Sequence, residues 1–334
     1  MKKIISLFAA ISLLCSMCFV GCGAAPEEDV VIRVGAMTGP TAMGMVKLMD
    51  DAENEKTENT YSFAELGNDA SSLVAPLAKG ELDIAAIPSN LAANIYNNND
   101  GEIEVLAICV TGVLNLVERG NSVNEIADLK GKSIYATGQG AVPEYTIRYL
   151  LSKNELNPDE DVNIIWCSDT NEALAYVSEV VDSIAILPQP LVTAATAKIE
   201  STKTGDEPSL RIVCDLNDEW AKINGDAKIV TGVVVARREF AQKYPNSVAK
   251  FLEEYEASVN YTEEDLDGAA ALAVKYGIVG AEGVAKKAMP KCHIVCITGD
   301  EMKASVSDFL NILYDMNPKA IGGKLPEDDF YYNK

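Results

Sequence analysis

The chain has 334 residues, 48% hydrophobic and 23% charged, a balance ordinary for a globular protein and a length that accommodates two domains. Its formal net charge is −22. That excess argues against nucleic acid, whose binding rests on Lys and Arg neutralising phosphates, and against electrostatic docking on anionic lipid; it reads as solubility and repulsion from a negative surface.

Met1-Lys2-Lys3 is a short basic start, Ile4 to Val20 is an almost unbroken apolar run, and Phe19-Val20-Gly21-Cys22 closes it before Gly23-Ala24-Ala25-Pro26. This is a secretory signal rather than a fold element. It resembles a bacterial lipobox, with Phe19 where the pattern usually has Leu. The resemblance implies cleavage before Cys22, a diacylglyceryl thioether on its sulfur, and a mature protein lipid-anchored at the extracytoplasmic face of the cell membrane. No apolar run after Val20 approaches the ~20 residues needed to span a bilayer, so the lipid is the expected membrane attachment. Residues 1–21 are then signal peptide and 22–29 a lipidated tether.

Strand and helix patterns alternate from there. Val30–Ala36 reads as a strand, Met43–Asp51 as a helix, Thr60–Leu66 as a strand and Ala70–Lys79 as a helix. Leu82–Ile87 and Ile103–Val110 are apolar strands, with Pro88-Ser89-Asn90 opening a helix between them. The rhythm repeats: strand Ser133–Thr137, helix Pro143–Leu151, strand Val162–Cys167, helix Asn171–Ser178, strand Ser183–Leu187, then Pro188-Gln189-Pro190 before another helix. Ile229–Ala236 is a late apolar strand. Helical stretches follow it, including Pro245–Val259 and Glu301–Asn317 with apolar stripes. Such βαβα order predicts parallel or mixed sheets covered by helices.

Three segments carry a resemblance. Leu77-Ala78-Lys79-Gly80-Glu81-Leu82-Asp83-Ile84-Ala85, Ile126-Ala127-Asp128-Leu129-Lys130-Gly131-Lys132-Ser133-Ile134 followed by Thr137-Gly138-Gln139-Gly140, and Asp182-Ser183-Ile184-Ala185-Ile186-Leu187-Pro188-Gln189-Pro190 stand in the order found in type II periplasmic binding proteins. Gln189 replaces the usual Glu of the last. The pattern is similar to the solute-binding lipoproteins of ABC importers for taurine, aliphatic sulfonates, nitrate and thiamine-pyrimidine precursors. It implies an α/β protein of two lobes, each a mixed, mostly parallel sheet flanked by helices, joined by two crossover strands as hinge. Lobe one would be 30–113 plus 232–334, and lobe two 114–231. It implies a small-molecule solute, ABC permease and ATPase partners and a monomer; no nucleophile motif such as Gly-x-Ser-x-Gly and no general base with an evident partner occurs, so neither catalysis nor a cofactor is expected. The alternatives are an extracellular enzyme, or a sensor or accessory binding lipoprotein, on the same fold.

In open α/β sheets ligands bind beyond the carboxyl ends of strands, which selects the candidate contacts. Met37, Thr38, Gly39, Pro40 and Thr41 follow the first strand, where a plain helix start is the competing reading. Asn68 and Asp69 are also good turn chemistry. Ser89, Asn90 and Gln189 follow later strands. Tyr135, Thr137, Gly138, Gln139 and Gly140 are lobe-two candidates at the end of the strand Ser133–Thr137 and after it. Thr111 and Asn115 are hinge-side candidates in the first crossover, Thr111–Glu118, the second being Lys228–Val234. Trp220 is a candidate stacking ring or a packing residue. None of these loops carries Lys or Arg, so a neutral heterocycle such as an aminopyrimidine ranks above a sulfonate, with a small acid held by helix N-termini still open.

His293 is the sole histidine. Read as a strand, Lys291–Ile297 puts Cys292 and Cys296 on one face ~13 Å apart, with His293 opposite, which cannot make one metal site. Five cysteines remain after the signal and Cys22: Cys109, Cys167, Cys214, Cys292 and Cys296. They read as buried thiols, and a Cys167–Cys214 pair is open.

Overall fold

The computed structural model describes residues 30–67, 71–203, 205–225 and 227–333. The signal, the tether with Cys22, and the turn pair Asn68 and Asp69 lie outside them. No helix among the described residues is long and apolar enough to cross a membrane.

The first part of the chain runs β1 (Val31–Ala36), α1 (Pro40–Met43), α2 (Val46–Glu53), β2 (Thr60–Phe63), α3 (Ser71–Ala78), β3 (Ile84–Pro88), α4 (Ser89–Asn98) and β4 (Ile103–Thr111). After β5 (Leu114–Glu118) come β6 (Ser133–Ala136), α5 (Val142–Lys153), β7 (Asn163–Trp166), α6 (Thr170–Glu179), β8 (Ile184–Pro188), α7 (Leu191–Thr202), β9 (Arg211–Asp215) and α8 (Leu216–Asn224). The last part holds β10 (Val230–Arg237), α9 (Arg238–Lys243), α10 (Pro245–Glu264), α11 (Leu266–Lys275), α12 (Glu282–Ala288), β11 (Ile294–Ile297) and α13 (Gly299–Met316).

Two sheets result, ordered β11-β4-β10-β3-β1-β2 and β7-β6-β8-β5-β9. In the first, β1 pairs in parallel with β2 and β3, while β10 runs antiparallel to β3 and β4. In the second, β6 pairs in parallel with β7 and β8, while β5 runs antiparallel to β8 and β9. Most strands of each sheet therefore run one way. The central strands of the first sheet are apolar on both faces because helices cover both: Val105, Ile108, Val233 and Val235 enter one core cluster, and Leu106, Cys109, Val234 and Ala236 the other. The apolar stripe of α13 is buried as its spacing predicts, at Met302, Val306, Phe309, Leu310 and Leu313.

Two local readings change. The expected helix 43–51 is α1 and α2 with a break at Gly44 and Met45. A Cβ on Gly44 would lie 3.0 Å from the Tyr255 hydroxyl and 3.1 Å from Ile294 Cγ2, so the break lets α10 and β11 approach. The strand expected over 291–297 begins only at Ile294, because His293 takes φ 45 and interrupts the alternation. The two-faced argument for Cys292 and His293 therefore fails, although no group of three His, Cys, Asp or Glu placed to hold a metal occurs among the described residues. The five cysteines are free thiols.

Candidate functional site

Strand directions bring the site together. In the first sheet the carboxyl ends of β1, β2, β3 and β4 share one edge, where Gly232 pairs with Pro88 and Val230 with Thr111. In the second sheet the carboxyl ends of β6, β7, β8 and β9 share an edge, where Leu114 pairs with Pro188 and Asn115 with Asp215. Only Gly112 and Val113 separate β4 from β5. So short a connection makes the two edges neighbours at the crossover. The Gln189 backbone N–H donates to the Val113 carbonyl at 3.0 Å, which fixes the end of β8 to it.

Gly112 sits in close contact. A Cβ there would lie 2.8 Å from Asn217 Cβ, in the first turn of α8. Gly112→Ala should push α8 away from the crossover and cost about 1–3 kcal/mol, the usual range for an overpacked site. Urea unfolding at neutral pH measures this, and a variant as stable as the wild type would show that the crossover yields freely.

The candidate residues divide by what already occupies them. The Thr38 N–H donates to the Gly67 carbonyl at 2.8 Å, and the Thr41 hydroxyl donates to the Met37 carbonyl at 2.7 Å. Gly39 takes φ 111 and Pro40 opens α1. Much of the donor capacity expected of that loop is thus spent inside the protein. The Ser89 hydroxyl donates to the Val230 carbonyl, binding α4 to β10. Tyr135 stacks on Tyr176 with ring centroids 4.2 Å apart, so one of its faces is taken. Thr137 is half-buried, and Gly138, Gln139 and Gly140 are exposed, with the Gly140 N–H donating to Glu144 at 2.7 Å. Thr111 and Asn115 are buried, and the Asn115 amide donates to the Val113 carbonyl at 3.2 Å.

Trp220 takes the packing role of its two candidate readings. It is 1% exposed, and its neighbours are Tyr149 at 4.5 Å and Phe309 at 5.6 Å between centroids. It packs α8 against α5 and α13 in the core and offers no free face to a solute.

Besides Trp220, whose Nε1 has no partner, two buried candidate side chains carry an unpartnered polar atom. Asn90 is 7% exposed and its Oδ1 has no hydrogen-bond partner; its Nδ2 makes only a long contact, 3.5 Å, to the Ala320 carbonyl. Gln189 is 1% exposed; its Oε1 accepts from the Thr193 hydroxyl at 2.8 Å, which lays the amide over the first turn of α7, and its Nε2 has no partner. Asn90 belongs to the first turn of α4, after β3, and Gln189 precedes α7, after β8. Buried amide groups are normally satisfied; the two that follow β3 and β8 stand one on each half, among several buried polar atoms without a hydrogen-bond partner that include Asn97 Oδ1, Thr146 Oγ1 and Trp220 Nε1.

The helices they accompany are uncapped. α4 and α7 start from Pro88 and Pro190, with no side-chain cap and no acidic residue in the first turn. α6, α8 and α11 are capped by Asp169, Asp215 and Asp265, whereas α2, α5, α10, α12 and α13 lack a side-chain cap as α4 and α7 do. Uncapped N-termini leave N–H groups and the positive end of the helix dipole for an outside acceptor.

Local patterning did not reveal two ionic centres. Asp83 is buried between Arg33 and Arg237 at the opposite, amino edge of the first sheet. Glu118 is buried in β5 and accepts from Ser122 and from Arg211 at 2.5 Å. Burial raises its carboxyl, and the donors outweigh burial and hold it below its ordinary range. A charged residue inside an apolar run was the one sequence signal for both.

Residues 67–269 match the family model described as NMT1/THI5 like. The chain belongs to the NMT1/THI5-like family. No curated protein sequence matches it. Among solved structures, an ABC transporter protein from Parabacteroides distasonis is 25% identical, with a TM-score of 0.74 over 92% of this chain and 100% of that one. The aliphatic sulphonate binding protein SsuA from Escherichia coli is 15% identical, with a TM-score of 0.69 over 90% of this chain and 96% of that one. The alkanesulfonate-binding protein SsuA from Xanthomonas axonopodis pv. citri, bound to MOPS, is 16% identical, with a TM-score of 0.64 over 91% and 96%. This NMT1/THI5-like chain accordingly has the periplasmic-binding-protein fold, two mixed sheets flanked by helices.

Proposed function

We propose that the protein is the substrate-binding lipoprotein of an ABC importer, anchored through Cys22 at the extracytoplasmic face and passing its solute to a permease driven by an ATPase. Lobe one would be 30–113 plus 232–334 and lobe two 114–231, with the solute held between their facing edges. The observation that carries the reading is the pairing of the unmet Asn90 and Gln189 groups with the uncapped N-termini of α4 and α7, one set on each half. Likeness to the Parabacteroides distasonis protein along its whole length supports it.

The same features favour a small solute that offers acceptors to Gln189 and the helix ends and a donor to Asn90. A thiamine-pyrimidine-like heterocycle offers ring nitrogens to Gln189 and an amino group to Asn90. A sulfonate or small carboxylate offers oxygens to both helix ends. Binding rather than catalysis fits the thiols: burial pushes Cys214, Cys292 and Cys296 up to about 12, far from the thiolate a nucleophile needs.

A thermal-shift panel of aminopyrimidines, taurine, alkanesulfonates, nitrate and small acids tests this. A solute present at 100 times its dissociation constant adds about 2.7 kcal/mol to the folded state. A clear shift with one class is expected; silence across the panel, together with no co-purified small molecule by native mass spectrometry, would sink the solute-binding reading.

A further inference from the structure

Beside the crossover a titratable pair joins the two halves, in addition to the Trp220–Phe309 packing and the Asn317–Tyr145 hydrogen bond. His293 Nε2 and Asp215 Oδ2 are 3.3 Å apart. Asp215 ends β9 and caps α8 in the second half, its Oδ1 accepting from the Asn217 N–H at 2.8 Å. His293 belongs to the segment entering β11 in the first half, and its carbonyl accepts the Thr111 N–H at 3.2 Å, at the last residue of β4 before Gly112. One residue thus holds the end of β4 with its backbone and reaches the other half with its ring. Its φ of 45 keeps it in that pose, an uncommon setting for a non-glycine residue.

We propose that His293 and Asp215 form a proton-controlled latch at the hinge, holding the two halves in the arrangement described here when the imidazole carries its proton and loosening it when the proton leaves. This goes beyond solute capture and does not depend on which solute is bound.

The surroundings set the direction. The hydrogen bond to Asp215 raises the imidazole above its ordinary value, burial opposes, and the charges of Asp215 and Asp218 on the α8 side add to the rise. From α10, Glu263 lines the same cavity of about 390 Å³ as His293. Lys291, two residues earlier, is the nearby cation in sequence and lines a different groove, toward α7. A raised imidazole contributes fully below its ordinary value of about 6.5, and the contribution disappears as pH rises through the higher value it has in this arrangement. The latch therefore tightens below about pH 6.5 and relaxes as pH rises through the imidazole's raised value.

Because the chain has a single histidine, the imidazole of tag-free protein can be followed alone by NMR, with solution X-ray scattering collected over the same pH series without solute. The expected result is a midpoint above about 6.5 and a radius of gyration that grows through that midpoint. Asp215→Asn, which keeps the helix cap, should lower the midpoint toward the ordinary value of about 6.5. Both Asp215→Asn and His293→Asn, where asparagine tolerates the positive φ, should remove the pH-dependent change in size. A midpoint at or below the ordinary value, a flat scattering series, or the same size change in both variants would overturn the latch.

Discussion

Replacing Asp83 by asparagine should lower stability by about 2–4 kcal/mol at neutral pH. The carboxylate is 1% exposed and accepts four hydrogen bonds. Three come from Arg33, through its N–H at 3.0 Å, Nε at 2.8 Å and Nη2 at 2.5 Å; the fourth comes from Arg237 Nη2 at 3.1 Å. Arg33 is on β1 and Arg237 ends β10, the two strands flanking β3, so Asp83 ties the amino edge of the first sheet from both sides. Asparagine fills the space but leaves two guanidinium groups facing each other over a neutral amide. The loss stays below that of a fully buried pair because the Arg33 side chain is 41% exposed and water takes part of its charge.

The pH dependence gives a sharper test. Burial pushes the Asp83 carboxyl up, and the bonds from Arg33 and Arg237 outweigh it and hold the group below its ordinary value. A depressed carboxyl contributes stability above its unfolded value of about 3.9, and that contribution is lost as pH falls through the folded value. The stability gap between wild type and Asp83→Asn, read by urea unfolding, should be widest near neutrality and shrink below about pH 4. A gap that is constant with pH would mean the variant is weakened by shape rather than charge.

Gln189→Met should have the opposite profile, at least a tenfold loss of affinity with little or no loss of stability. A buried donor without a partner costs about 1–3 kcal/mol, so the free protein gives up nothing useful when the Gln189 amide is removed. The bound protein gives up the bond that would satisfy Nε2, and each tenfold in affinity is about 1.4 kcal/mol. Thr193, half-buried, can turn its hydroxyl to water instead. Calorimetric titration with the solute found by the thermal panel, alongside a melting curve, separates the two effects. Unchanged affinity would remove Gln189 from the site, and a melting temperature several degrees lower would make it a structural amide.

How much of this was legible in the sequence follows from the range of the interactions. The strands β1, β3 and β4 and the stripe of α13 are local patterns, and apolar spacing alone places them. The loops after strands were found by position, since parallel strands present their carboxyl ends together. Which donors in those loops are free was not legible. Ser89 is satisfied by Val230 and Thr38 by Gly67, partners that only the folded sheet brings close. The same applies to His293. Its segment reads as a strand because Ile294, Val295 and Ile297 favour one, while its positive φ and its contact with Asp215 are set by packing between halves. Trp220 shows the ambiguity of a lone large ring, which serves a core or a ligand equally until its neighbours are known.

The place of β10 has a consequence for the order of assembly. It lies between β3 and β4, so the amino-terminal strands are complete as sequence long before they are complete as a sheet. Until Val230–Arg237 has emerged, β4 has no neighbour on that side, and β1, β2 and β3 form a fragment with an open edge. The second sheet, by contrast, is one uninterrupted stretch from Leu114 to Asp215. Long-range pairings form slowly because the intervening loop must be closed first, and open strand edges invite association with other chains. For a polypeptide delivered from its amino end, the middle of the chain is the first part able to fold, and the beginning must wait, exposed, for the end.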